Sequence, residues 1–115
     1  MSDILDNILA DKRKLVDYHK RIVPISALEE ELKVYEGIVP SFADALLQSD
    51  TGIIAEFKRR SPSKGWINEK ALADNIARLY ELGGASAISV LTDEKYFGGI
   101  MSDLKAATSI VEIPV

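Results

Sequence analysis

The sequence predicts an α/β fold with a parallel sheet, preceded by a helical extension. Three observations carry that reading. After residue 52 the pattern alternates strand, helix, strand, helix and the start of another strand. Parallel neighbours need a crossover, and a helix supplies it. The first 50 residues carry helical periodicity and breakers but no strand pattern. The composition, 47% hydrophobic and 28% charged over 115 residues, is that of a globular domain and not of a disordered tail.

The elements follow in order. Residues 3–20 place Ile4, Leu5, Ile8, Leu9, Leu15 and Val16 on a helical stripe, with Ser2 or Asp3 able to cap its start. Pro24, Gly37 and Pro40 interrupt residues 21–40, leaving room for a short helical turn around 26–33. Ser41 with Asp44 resembles a capping box and opens a short helix through Phe42, Ala45 and Leu46. A strand is expected from Ile53 to Lys58, then a loop from Arg59 to Ile67 marked by Ser61-Pro62-Ser63 and Gly65. Asn68 is the expected cap of a helix carrying Leu72, Ile76, Leu79 and Tyr80, and Gly83-Gly84 ends it. Ala87 to Thr92 form a second strand. A loop through Tyr96-Phe97-Gly98-Gly99 leads to a helix around 103–110, and Ile113-Pro114-Val115 starts a third strand.

Several function classes are excluded early. A net charge of −4 argues against nucleic acid as the main partner, and the basic cluster Lys58, Arg59 and Arg60, with Lys64 nearby, is short. With no cysteine and one histidine, His19, neither a disulfide framework nor a thiolate or histidine-rich metal centre can be built. No apolar run approaches the ~20 residues that span a bilayer. The start, Met1-Ser2-Asp3, lacks a signal-peptide pattern, so a cytoplasmic location and no membrane partner are expected.

The first strand carries the chemistry. Side chains alternate across a strand, so Ile53, Ala55 and Phe57 share one face and Ile54, Glu56 and Lys58 the other. The first face is apolar and suits packing beneath helices. The second becomes charged toward its C-terminal end. In an α/β barrel that face points inward, at the mouth where active sites sit. Glu56 and Lys58 there can orient each other and hold an anionic substrate. The pattern alone equally fits an ordinary ion pair at a strand end. Arg59, Arg60, Ser61, Ser63 and Lys64 add donors suited to phosphate or carboxylate, Pro62 stiffens the turn, and Gly65 permits close approach of the backbone. Taken alone, that loop reads as solvated and basic. His19 reads as a surface residue near a helix C-terminus, Trp66 as a packing residue beside its loop, Tyr18 and Tyr35 as packing residues, and Glu29-Glu30-Glu31 as a solvated face.

Two long segments are more specific. Ile54-Ala55-Glu56-Phe57-Lys58-Arg59-Arg60-Ser61-Pro62-Ser63-Lys64-Gly65 resembles the signature segment of indole-3-glycerol phosphate synthases. Ala87 to Gly99 is similar to that family's second strand and following loop, and the N-terminal helices with Ser41 to Leu46 fit as well. The resemblance implies a (β/α)8 barrel, with residues 1–50 as the helical extension and 51–115 as the first two βα units and the start of the third strand. It implies a lyase of tryptophan biosynthesis that converts 1-(2-carboxyphenylamino)-1-deoxyribulose 5-phosphate to indole-3-glycerol phosphate, carbon dioxide and water, with no metal or organic cofactor.

By the same resemblance Lys58 contacts substrate and assists catalysis, and Glu56 orients the active-site lysines. Ser61 contacts substrate, and Leu91 and Phe97 are apolar contacts to the anthranilate ring. Two departures stand out. Ile100 and Met101 replace the family's small polar helix cap, leaving Ser102 or Asp103 to cap. The sequence also stops at Val115, before the family's third-strand lysine, the catalytic glutamate and the main phosphate loops. A barrel of this kind needs about 250 residues. The 115 residues alone are therefore expected to be inactive and to self-associate through open strand edges, with fold-back of the N-terminal helices as the alternative. Competing classes are another phosphate-binding barrel enzyme, such as the related isomerase, and a non-catalytic fragment.

Overall fold

The computed structural model describes residues 3–115, so Ser2 lies outside the described residues. Two compact units divide the chain between Ile38 and Val39. The first contains α1 (Ile4–Ile22) and α2 (Ile25–Lys33). Asp3 caps α1, its Oδ1 accepting from the Asp6 amide at 2.8 Å. Neither helix buries a residue. The α1 stripe is present, with Ile4, Leu5 and Leu9 all exposed.

The second unit begins with α3 (Phe42–Gln48), whose cap Ser41 accepts from the Asp44 amide at 3.2 Å. The helix packs against β4 (Ala87–Val90) within the second compact unit. β1 (Ile54–Phe57) pairs with β4 in parallel, with Ile54 opposite Ala87 and Glu56 opposite Ser89. The crossover is α4 (Ala73–Leu82). Alternation along β1 holds where it matters: Phe57 is buried and Ala55 half-buried, while Ile53 stands outside the strand with its side chain exposed.

α4 and α6 (Met101–Ile110) cross with alanine at the contact. Ala77, Ala107 and Ile88 form the core, joined by Tyr80, Val90, Val111, Ile113 and Val115. Alanine lets the two helix backbones approach closely and costs no side-chain entropy. Burying Ile88 contributes about 1.5–3 kcal/mol.

Four local expectations are corrected. Asn68 does not cap α4. Its Oδ1 accepts from the Lys70 amide at 3.2 Å in a separate turn, and the helix starts after Leu72. The same short-range bond serves a cap or a free turn, so local chemistry could not choose between them. The loop after β1 contains a small hairpin, β2 (Arg60–Ser61) against β3 (Gly65–Trp66). Gly65 serves its turn through a left-handed backbone, φ +65°, and not through close approach, since nothing lies near the space a Cβ would fill. The last helix starts earlier than expected, with Ile100 at the cap position and Asp103 in its first turn.

The terminator of α4 is as expected. Gly84, at φ +98°, closes a Schellman motif in which the Ala85 amide donates to the Tyr80 carbonyl at 3.0 Å and the Gly84 amide to Glu81. Residues 113–115 do approach the sheet. The Ile88 amide donates to the Pro114 carbonyl at 2.9 Å, on the edge of β4 away from β1. Among the described residues no helix is long and apolar enough to cross a membrane.

Candidate active site

The C-terminal ends of β1 and β4 lie side by side because the strands are parallel and in register. Glu56 projects from β1 and Lys58 follows two residues later, on the same face. The Lys58 Nζ lies 3.3 Å from Glu56 Oε1. The other carboxylate oxygen, Oε2, accepts from Ser89 Oγ at 3.3 Å, across the ladder. One carboxylate thus holds an ammonium and a hydroxyl, and both bonds fix its plane. Behind it, the Tyr80 hydroxyl donates to the Glu56 carbonyl at 2.9 Å, tying the strand to α4. The Lys58 and Glu56 side chains are 35% and 47% exposed. At that exposure the pair adds only about 0–1 kcal/mol to stability. Its value lies in orientation: the ammonium is accessible to a ligand yet held by a fixed partner.

Leu91 continues the β4 ladder, its amide donating to the Phe57 carbonyl at 3.1 Å, which sets it beside Lys58. Phe97 ends α5 (Glu94–Phe97), a single turn capped by Asp93, whose Oδ2 accepts from the Tyr96 amide at 2.8 Å. The Phe97 carbonyl accepts from the Arg59 amide, next to Lys58, at 3.3 Å. Leu91 and Phe97 are both half-buried. Gly99 completes this turn. Its amide donates to the Asp93 carbonyl at 2.9 Å, and its α-carbon presses against the Leu91 carbonyl so closely that a Cβ has no room.

Ser61 is bonded within its own turn. It is 8% exposed, and its Oγ accepts from the Lys64 amide at 3.1 Å and faces Ser63 Oγ at 3.4 Å, closing the hairpin turn. The structure therefore brings Glu56, Lys58 and Leu91 onto adjoining strand ends, adds Phe97 through the backbone beside them, and gives Ser61 a local partner in its own turn.

The sequence matches the family model for indole-3-glycerol phosphate synthase over residues 5–115. A protein of that name from Bacteroides thetaiotaomicron is 48% identical, over all of this chain and 44% of its own length. Those from Azospirillum brasilense and Desulfosudis oleivorans are 40% and 45% identical, again over the whole chain and 45% of their own lengths. The chain belongs to the indole-3-glycerol phosphate synthase family. It spans less than half the length of these relatives.

For a member of the synthase family, the basic loop after β1 is more structural than its composition implied. Arg59 was expected among the ligand donors, but its guanidinium turns inward. NH1 and NH2 meet Asp103 Oδ2 and Oδ1 at 2.5 and 2.7 Å, Nε donates to the Ala71 carbonyl at 2.8 Å, and NH1 also donates to the Gly98 carbonyl at 3.0 Å. Phe57 lies under it, 5.1 Å from the ring centroid. The hydrogen bonds from Arg59 hold the Asp103 carboxyl below the usual carboxylate range, with burial opposing and the Ile100 amide assisting. Arg60 lies over the Trp66 ring at 5.5 Å and donates to the Lys95 carbonyl at 3.3 Å. Asp103 is the residue that sequence reasoning missed in this role. Its place near a helix start was expected, as one of two candidate caps, but its partner is 44 residues away.

Proposed function

We propose that this chain is the N-terminal portion of an indole-3-glycerol phosphate synthase, built on a (β/α)8 barrel. Residues 1–50 form its helical extension, and residues 51–115 its first two βα units and the start of its third strand. The observation that carries the reading is the Glu56 carboxylate holding Lys58 Nζ and Ser89 Oγ on one face, at the C-terminal ends of parallel strands. Ligands of such barrels bind at that end.

The substrate is 1-(2-carboxyphenylamino)-1-deoxyribulose 5-phosphate. The ring carbon bearing the carboxylate attacks the ribulose carbonyl, whose oxygen takes a proton. Carbon dioxide then leaves, restoring the aromatic ring, and the new hydroxyl departs as water with loss of a ring proton. Lys58 supplies a cationic donor toward the developing oxyanion or the anionic groups of the substrate. Glu56 orients that ammonium, Leu91 and Phe97 offer apolar surface to the anthranilate ring, and Ser61 contacts the substrate from the loop after β1. The reaction uses no metal or organic cofactor, and a cytoplasmic location goes with it.

The test is formation of indole-3-glycerol phosphate, read by its fluorescence, with this segment completed to the relatives' length and with the 115 residues alone. The longer chain is expected to turn over and the 115 residues to show none, because position and electrostatics supply most of an enzyme's rate enhancement. No product from the completed chain overturns the reading. Turnover by the 115 residues with host enzyme excluded overturns the division of the chemistry.

As an isolated segment, the chain is proposed to self-associate. β1 pairs with β4 alone among the described residues, and Ile53 and Ile54 beside its open edge are 55% and 49% exposed. Such an edge is a template for pairing. Sedimentation equilibrium is expected to give a mass above 12.6 kDa that rises with concentration. A single monomer at high micromolar concentration, with cooperative unfolding, excludes it.

A further inference from the structure

Glu81 lies in the last turn of α4 and has no part in the site described above. Its Oε2 accepts two backbone amides, Glu112 at 2.7 Å and Ile113 at 3.1 Å. Its Oε1 takes the Arg78 guanidinium at 3.3 Å, from one turn earlier on the same helix. The Glu81 side chain is 18% exposed, against 53% for Arg78. A carboxylate receiving consecutive backbone amides is a charge-assisted arrangement, stronger than neutral hydrogen bonds.

The local sequence explains why these amides need such a partner. α6 ends at Ile110, and the chain turns through residues 112 and 113 before reaching the sheet. Pro114 has no amide hydrogen, so it offers the β4 edge only its carbonyl, which takes the Ile88 amide. The amides of Glu112 and Ile113 precede this contact. Without Glu81 they would lack a protein partner, in a segment whose neighbours Ile113 and Val115 pack on the core.

The pairing also fixes a register. The Leu91 amide bonds the Phe57 carbonyl and thereby sits opposite Lys58, one residue beyond the Phe57–Val90 pair. By the same offset, the Ile88 amide on the Pro114 carbonyl places Val115 opposite Ile88. Ile88 is then flanked by Ala55 on one side and Val115 on the other. A slip of one residue would turn Ile113 and Val115 away from the core face. Ile88 immediately precedes Ser89, the residue that bonds Glu56.

We propose that Glu81 is a positioning residue: through the amides of Glu112 and Ile113 it sets the register of residues 112–115 on β4 and so steadies the strand end that carries Ser89 beside Glu56. The effect on turnover rests on the proposed function; the effect on register does not.

The test joins amide hydrogen exchange on this chain with kinetics on the segment completed to the relatives' length. Glu81→Ala and the shorter Glu81→Asp are expected to speed exchange at Glu112 and Ile113 by about tenfold or more, while Ala77 in the middle of α4 stays protected. Glu81→Gln keeps a carbonyl acceptor of the right length and is expected to restore most of the protection. In the longer chain, Glu81→Ala is expected to lower kcat roughly tenfold with KM within about twofold, and Glu81→Gln to recover it. Unchanged exchange at both amides, or faster exchange spread evenly over the molecule, overturns the clamp. Localised exchange with unchanged kcat overturns its positioning role. A wild-type longer chain without synthase turnover counts against the proposed function instead, and the exchange result then decides the clamp by itself.

Discussion

Asp103→Ala is expected to lower the unfolding free energy of this chain by about 3–5 kcal/mol, the usual result of removing one partner of a buried ion pair. The Asp103 and Arg59 side chains are 8% and 13% exposed, so solvent screens their contact little. The substitution strands the Arg59 guanidinium with two carbonyls, Ala71 and Gly98, that cannot balance its charge. It also frees the Ile100 amide, which Asp103 Oδ2 holds at 3.1 Å at the start of α6. Small domains are stable by about 5–15 kcal/mol in total, so this one change consumes much of the margin. Urea unfolding measures it. Replacing both partners with apolar groups, Arg59→Met with Asp103→Leu, is expected to cost less than Asp103→Ala alone, because no buried charge is left uncompensated. A loss under about 1 kcal/mol for Asp103→Ala would mean that the pair behaves like an exposed one.

The same pair gives the chain a pH dependence whose sign is fixed. Arg59 holds the Asp103 carboxyl below its ordinary value in the folded state. Its contribution is present above the unfolded aspartate value of about 3.9 and is lost as pH falls through the lower folded value. The Arg59 guanidinium is pushed up by Asp103 from an already high value, so it stays charged through this window and adds no slope. Stability is therefore expected to fall below about pH 4, and Asp103→Asn to flatten that part of the profile.

What was legible in the sequence was local. Glu56 and Lys58 are two residues apart on a strand, so period-two alternation sufficed to put them on one face. Ser41, Asp3 and Gly83-Gly84 do what their local chemistry implies, because each bond closes within a few residues. Asn68 misled because an isolated turn and a helix cap use the same bond, and the start of α4 at Ala73 goes with packing of its face on the sheet and α6. The hairpin of β2 and β3 escaped because two-residue strands have no period to read. Arg59 with Asp103, and Glu81 with Glu112, are separated by 44 and 31 residues, and no spacing rule links such distant charges. Arg59 is the instructive case. Composition put it with Lys58 and Arg60 in a ligand-binding cluster, whereas alternation at the end of β1 sends neighbouring cations to opposite faces, one to the mouth and one into the fold.

Lys58→Ala, in the segment completed to the relatives' length, is expected to slow turnover by roughly 10²–10³-fold, as loss of one preorganised charged contact at a reacting centre does. The effect should fall on catalysis and not on the fold. The Lys58 side chain is 35% exposed and its partner Glu56 47%, so losing the pair costs about 0–1 kcal/mol of stability at most. Asp103→Ala shows the reverse balance in the neighbouring pair. Glu56→Gln separates orientation from charge: it leaves Lys58 cationic but weakens the hold on Nζ, and is expected to give a smaller loss than Lys58→Ala. Lys58→Arg keeps the charge but replaces a compact ammonium with a broad planar group, so it should recover little of the rate. Steady-state kinetics beside urea unfolding of each variant separates the two effects. Turnover of Lys58→Ala within twofold of wild type would remove Lys58 from the site. A stability loss of several kcal/mol in the same variant would instead make it a structural residue, against its exposure and its 3.3 Å contact with an exposed partner.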